Sequence, residues 1–555
     1  MILRGSTGRI ALSALALAII LSPFAIAGAV SPPPTINENT STLMISLPGP
    51  FKGCTYLDSG ANPSSNAILD LVRPSAFLTS PGGNLYGAGG PIASAELTSL
   101  RPETVVYTIA PDQKWSNGQV FAGIDLMAWW QRAVSLASVQ SDGYREIKSL
   151  TVSDGGLKVV AVFKAKYAEW NLLFRDLEQP GSSIGCSLSS LINRPSLGPY
   201  VVSSATRSRV VLNMNMHWTQ ASSRFGRIVL STTGTIPASK AAFVGYSLVV
   251  NRAREQALSA HPWVLSHIGS SSNIEQMTFA PGRALTKSLD IRQALSWSLN
   301  RQAMINQLWG AVTFSVSPAA SALFSQGQSA YPGYNGSSPT SQATTPTTTL
   351  ARSGVAPGLD DCLQCAFSAL TTAGYHRTKA GFASRTGAVL TLRLVVGPSA
   401  LDKATAALAA KRWKAVGITV YTVGAGSDIA AAAVAASNHA DVAIFARPTL
   451  TTPSYAARSW SGPAFADTYQ SSVRSPVFTA LFNVAVSNFN PVAANTTWLL
   501  LDQALMSDFW VRPLFTAPSV VEWTNTMATV SGSISVPGFL DQVTTWSAAA
   551  PSSRG

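Results

Sequence analysis

The sequence predicts an α/β chain, and three stretches carry that expectation. In the first, Val105, Tyr107 and Ile109 alternate with Thr104 and Thr108, the two-residue period of a strand buried on one face. Asn117-Gly118 comes next, and since both residues tolerate the positive φ of a type I′ turn, a tight turn is expected there. Asp125 then stands where a carboxylate favours a helix start, ahead of Met127, Trp130 and Val134 at helical spacing. In the second stretch, 389–396 reads as a strand, 400–416 as a helix and 417–420 as a further strand. The third is Asp441-Val442-Ala443-Ile444-Phe445, one more strand.

The remaining elements follow in order. Residues 41–47 form a short apolar strand, and 62–77 hold Ile68, Leu69, Leu71 and Val72 as a short buried helix. Pro81-Gly82-Gly83-Asn84 is a turn leading to the small-residue segment 93–96. A hairpin is expected over 152–163 about Asp154-Gly155-Gly156. Gly198-Pro199-Tyr200 opens a strand, and 209–213 supplies the next. Over 288–310, Ile291, Leu295, Leu299 and Leu308 share one helical face, with Arg292 and Arg301 bracing the helix. Residues 326–354 are rich in Ser, Thr, Pro and Gly and bury too little apolar surface to order strongly, so a flexible surface loop is expected. A helix over 360–373 carries a CxxC and stops at Gly374, a C′ glycine.

Arg4 and Arg9 precede an uncharged run over 10–30, and Ala25-Ile26-Ala27 offers small residues for cleavage. These are the zones of a secretory signal peptide, expected over 1–29; the length of the run leaves an uncleaved membrane anchor as the alternative. With the first cysteine at Cys54, a lipid-modified cysteine just after the run is not expected. What remains is long enough for two or three domains. Charged residues are only 12% of the chain, about half the usual share. The net charge of +13 falls by two if Arg4 and Arg9 are removed. The excess is scattered rather than striped, so anionic lipid or envelope polymer is a better match than nucleic acid.

Four cysteines in an exported chain allow two disulfides in three possible pairings. Cys54–Cys186 with Cys362–Cys365 is the pairing favoured. A redox or zinc role for the CxxC is disfavoured, because there is no second CxxC and His217, His261, His267, His376 and His439 lack ligand spacing. No cofactor and no metal site is expected.

Lys114-Trp115-Ser116-Asn117-Gly118, between a strand and an acid-started helix, resembles a recurring segment of the family 5 extracytoplasmic solute-binding proteins. Those are the peptide and nickel receptors of ABC importers. Gly198-Pro199-Tyr200, the Arg292-Gln293-Ala294-Leu295 helix with Asn300-Arg301, and Gly417-Ile418-Thr419-Val420 resemble further family segments in the same order. Asn300 replaces an acid of the family pattern, and Val511-Arg512-Pro513-Leu514-Phe515 is similar to the family's closing crossover. The resemblance implies a two-lobed periplasmic-binding-protein fold of type II, cluster C, with an extra small α/β domain in the N-terminal half. It divides the chain into 30–65 as the first part of lobe I, 66–196 as the extra domain, 197–278 as the second part of lobe I, 279–512 as lobe II, and 513–555 as the closing segment of lobe I. It implies capture of a small, peptide-like solute by hinge closure, delivery to an ABC permease, a location outside the cytoplasmic membrane, and a monomer. No nucleic acid is implied as partner.

In peptide-binding members an acid that pairs with the ligand amine lies just after the strand matching 441–445. Residues 446–455 contain no carboxylate, so that role is not carried over. Arg447 is instead a candidate for a ligand carboxylate or phosphate, its fork matching such groups in two-point contact; a solvated or surface-paired arginine is the alternative. Tyr455 and Trp460 are candidate cleft aromatics, weighed against plain packing. One nominal catalytic motif, Gly181-Ser182-Ser183-Ile184-Gly185, fits GxSxG but follows Glu178-Gln179-Pro180 rather than an apolar strand. It reads as a loop, and no enzyme is expected. A receptor fold that has lost its ligand and serves as a sensor or scaffold is the runner-up, an exported serine hydrolase the third reading.

Overall fold

The computed structural model describes residues 41–54, 63–79, 85–87, 90–136, 138–182, 186–219, 225–232, 234–236, 241–326, 331–332, 360–448, 453–461, 476–528, 530, 540, 543 and 546–548. The signal segment, the 81–84 turn, Ser183 and nearly all of the 326–354 loop lie outside these residues.

In chain order the main elements begin with β1 (Thr42–Ser46), α1 (Pro63–Val72), β2 (Ile92–Leu100), β3 (Glu103–Ile109), α2 (Gly123–Ser135), β4 (Ile147–Ser153) and β5 (Lys158–Phe163). There follow β6 (Tyr200–Ala205), β7 (Arg209–Met214), β8 (Arg227–Ser231), β9 (Phe243–Ser247) and the long β10 (Val264–Phe279). Next come α3 (Leu289–Trp297), α4 (Arg301–Trp309), α5 (Leu363–Thr372), β11 (Thr391–Val396), α6 (Ala400–Ala415), β12 (Thr419–Gly424), α7 (Asp428–Ala436) and β13 (Val442–Pro448). The chain then forms α8 (Pro453–Ser461), α9 (Pro476–Val486), α10 (Pro491–Ser507) and the long β14 (Val511–Thr524).

One sheet of ten strands, in the order β12-β11-β13-β10-β14-β9-β1-β8-β7-β6, runs through the molecule. Its middle is the antiparallel pair β10 and β14, long enough to belong to both halves. The first part of β10 pairs with the last part of β14, which in turn pairs with β9 and joins the apolar core of Leu43, Ile45, Tyr200, Ile228 and Val521. The last part of β10 pairs with β13 and joins a second core built on Met277, Phe279, Leu295, Trp413 and Phe515. A separate four-stranded sheet, β2-β3-β5-β4, carries a third core around Trp115, Trp129, Tyr144 and Phe174. The disulfide Cys54–Cys186 ties the chain before α1 to the chain that follows this sheet, and Cys362–Cys365 closes the start of α5.

Three local expectations are corrected. At Asn117-Gly118 only the glycine takes positive φ, 85°, and Gly118 N–H donates to Trp115 O at 2.8 Å. This is a turn ending in a left-handed glycine rather than type I′, which needs both residues there. On α2 the buried stripe is Leu126, Trp129 and Ala133, not Met127, Trp130 and Val134. Asp125 sets that rotation: its Oδ2 accepts from Ala122 N–H, and its Oδ1 accepts from the Trp115 indole at 3.2 Å, which holds the acid's own face inward. The 288–310 segment is two helices rather than one. The first ends at Trp297, and Asn300 caps the second, accepting from Ala303 N–H at 2.7 Å. Arg292 braces α3 by donating to Thr286 O and Asp508 O, and Arg301 holds Asp360 and two backbone carbonyls.

Candidate functional site

The passage of β10 and β14 from one half of the sheet to the other is irregular. Their register slips between Ser270 and Ile274, and again between Glu275 and Gln276. On one side of the slip Val264 to Ser270 face Thr524 to Pro518; on the other, Ile274 onward face Thr516 to Val511. Two strands that cross together with broken pairing form a narrow flexible connection, the structural requirement for a hinge.

The parallel strands β11, β12 and β13 end on the hinge side, where β10 enters their half of the sheet. Ligands of open α/β sheets gather at such carboxyl ends. The helices that follow β11 and β12 have starts specified locally. Ser399 caps α6 in a reciprocal box with Asp402, and Ser427 caps α7 by accepting from Ala430 N–H at 3.0 Å. At the tip of β11, Gly397 leaves no space for a side chain. A Cβ there would lie 2.5 Å from Asp402 Oδ2 and 2.5 Å from Asp428 Oδ1.

The two aspartates are joined by Glu275 of β10. Its strand partner is Ala446, whose N–H donates to Asp402 Oδ1 at 3.2 Å. Glu275 is fully buried. Burial raises its carboxyl well above the usual range, and the charges of Asp402 and Asp428 raise it further. Asp428 is pushed up to about 7, by burial first and by Asp402 second.

Of the residues singled out from the sequence, Arg447 sits at the hinge end of β13, opposite Ile274, and is fully buried. Its Nη2 donates to Ala322 O, and Asp502 of α10 accepts from Ala322 N–H at 2.9 Å. Trp460 packs in the apolar cluster that includes Ala322, Phe478 and Trp498. Arg447 and Trp460 therefore converge on the 321–323 segment. Tyr455 is directed elsewhere: its hydroxyl donates to Gln140 O at 3.2 Å, beside the four-stranded sheet.

Tyr455 belongs to a set of contacts that α8 and the end of α9 make with that N-terminal region. Ser454 donates to Glu169, Arg458 pairs with Asp142 at 2.5 Å, and Ala168 N–H donates to Val486 O at 2.7 Å. Burial pushes Glu169 up to about 7, with the Ser454 hydrogen bond opposing it. These contacts form a polar clasp between the N-terminal region and the helices that follow β13. Sequence reasoning did not find Glu275, Asp402, Asp428 or Glu169. The one available signal was Ser399-Ala400-Leu401-Asp402, a capping box written in sequence.

Two halves joined by crossing strands, with strand ends and helix starts directed at the junction, define the two-lobed architecture of periplasmic binding proteins. The chain belongs to the bacterial extracellular solute-binding proteins, family 5, whose middle region it matches over residues 92–466. Over 253 residues it is 28% identical to the oligopeptide-binding protein OppA of Mycobacterium tuberculosis; the match covers 42% of this chain and 38% of that protein's length. The fold is similar to the periplasmic EDTA-binding protein EppA, with a TM-score of 0.78, 18% identity and coverage of 92% of this chain and 97% of EppA. It is also similar to the oligopeptide-binding protein AppA of Bacillus subtilis, solved with a nonapeptide, with a TM-score of 0.72, 13% identity and coverage of 92% and 99%. No helix among the described residues is long and apolar enough to cross a membrane.

Proposed function

We propose that this protein is an extracytoplasmic receptor that encloses a peptide or peptide-like small solute between two lobes and delivers it to an ABC permease. The observation that carries the reading is the doubled, register-broken crossing of β10 and β14, together with the α8 clasp to the N-terminal region. That combination allows the halves to part at one place and lock at another. Family membership and an oligopeptide-binding relative support the solute class.

The lobes follow the division expected from the sequence, with lobe I at 30–65, 197–278 and 513–555, the extra domain at 66–196 and lobe II at 279–512. Arg447, at a strand end beside the hinge, and Tyr455, in the clasp, are the proposed solute contacts, with Trp460 backing the loop that Arg447 holds. The protein acts as a monomer outside the cytoplasmic membrane and binds without making or breaking a covalent bond.

A thermal-shift screen of peptides, amino acids, sugars and metal chelates tests this. A true ligand at a hundredfold excess over its Kd stabilises by about 2.7 kcal/mol. A set in which no solute shifts the midpoint, or reaction of the protein with a serine-directed phosphonate, contradicts the reading.

A further inference from the structure

The positive excess, expected to be scattered, is concentrated in one stretch. Residues 179–254 hold no Asp or Glu and eight Lys or Arg, more than half of the net charge of +13. The region before it has the opposite balance, since residues 58–178 carry twelve acids against ten bases. Of the eight, Arg194 and Arg254 are neutralised inside the fold by Glu178 and Glu522. Arg224 and Lys240 lie outside the described residues, and Arg252 opens the helix Arg252–Ser259. Arg207, Arg209 and Arg227 are exposed and enter no salt bridge among the described residues.

The fold sets these three at the β6 end of the ten-stranded sheet, on β7, β8 and the turn joining β6 to β7. Val210, Leu212, Ile228 and Leu230 belong to the apolar core. Side chains alternate along a strand, so Arg209 and Arg227 lie on the opposite face. Arg209 pairs with Ser231 and Arg227 with Asn213, which sets them about 14 Å apart. Arg207 O accepts from Phe51 N–H at 2.8 Å, which brings the exposed Lys52 to the same corner. At the other end, Met214 N–H donates to Gly226 O at 3.0 Å, next to Arg227. A turn follows, in which Trp218 N–H donates to Asn215 O at 3.0 Å and the buried Asn215 accepts from His217 N–H at 3.0 Å. It displays Met216, 89% exposed.

We propose that this end of the sheet is a membrane-docking face, on which Lys52, Arg207, Arg209 and Arg227 meet anionic phospholipid headgroups and Met216 enters the interface between them. Each basic side chain near an anionic surface adds to the attraction, and with no acid in the stretch nothing on it opposes. The arginines are spread across a face rather than aligned along a track, which suits a sheet of headgroups better than a single polyanion strand. Met216 points the same way, because an apolar side chain beside bases is useful at a lipid interface and idle on a soluble polymer. The inference stands without the receptor reading; with it, the face holds the receptor on the membrane of its permease.

The test is sedimentation of the exported protein with vesicles of phosphatidylcholine, alone or with one quarter phosphatidylglycerol, at low and high salt. Wild type is expected to bind the anionic vesicles at least tenfold more tightly than the neutral ones, with the difference fading as salt screens it. Arg207→Glu combined with Arg209→Glu removes that difference. Lys403→Glu combined with Lys411→Glu, exposed on α6, changes net charge equally and leaves it intact. If the first pair fails to fold, Arg227→Glu carries the same expectation at reduced size. Met216→Gln weakens vesicle binding about threefold and leaves binding to long-chain polyphosphate unchanged. Equal binding to both kinds of vesicle, or equal loss in the two charge-reversed pairs, overturns the face. Tighter binding to polyphosphate than to vesicles at equal phosphate concentration overturns the membrane as its partner.

Discussion

Glu178 and Glu275 are both carboxylates withdrawn from water, yet their surroundings are of opposite sign. Glu178 lies among Arg73, Arg132 and Arg194, and Arg194 in turn donates to Gly53 O beside the Cys54–Cys186 disulfide. Burial would raise Glu178, but the three guanidinium charges more than offset it and hold the carboxyl below the usual range. Glu275 has only acids for company and rises. The first cluster is complete within the chain and fastens the N-terminal region together. The second holds only acids, and it lies beside the irregular crossing of β10 and β14. Opposite charges let a fold keep a buried carboxylate ionised, whereas like charges force it toward the protonated form.

The largest expected effect breaks the first cluster. Glu178→Ala leaves the buried Arg73 and Arg194 and the half-buried Arg132 facing one another and should cost about 3–5 kcal/mol, read as a lowered urea midpoint. The next falls at the second cluster. Gly397→Ala pushes a methyl group onto both aspartate oxygens and should cost about 1–3 kcal/mol, read in the same urea titration. The smallest has the opposite sign. Glu275→Gln should stabilise the ligand-free protein at pH 8, on the order of 1 kcal/mol, because an amide carries no charge to bury.

Acid titration sharpens the contrast. Glu178 is held below its unfolded value, so its contribution is present above that value and is lost as pH falls through the folded one. Asp428 is raised, so its contribution is full below the unfolded value and fades as pH rises through about 7. Thermal melts of ligand-free wild type should therefore lose stability from pH 5 to pH 8 by a step that shrinks in Asp428→Asn. An identical slope in the variant would contradict this assignment.

The fold was legible because periodicity is local. The alternation of Val105, Tyr107 and Ile109, and the strand-helix-strand run from 389 to 420, each fix an element without reference to the rest of the chain. Errors arose where one side chain overrode a pattern, as Asp125 did for the face of α2 and Asn300 did in dividing 288–310. The cluster of Glu275, Asp402 and Asp428 was not legible because its members lie in β10, α6 and α7, and no spacing announces that β10 will register beside β13. Arg447 was legible as a charge after a buried strand; its grip on Ala322 O depends on a loop distant in sequence.

Closure around a solute is the central claim, and the distance between the lobes reads it directly. Donor and acceptor dyes at Met216→Cys and Val423→Cys, both exposed and in opposite halves of the ten-stranded sheet's span, report that distance by single-molecule energy transfer. Adding a solute that raises the melting midpoint should shift the population from a long-distance to a short-distance state. A stabilising solute that leaves the distribution unchanged would contradict capture by hinge closure.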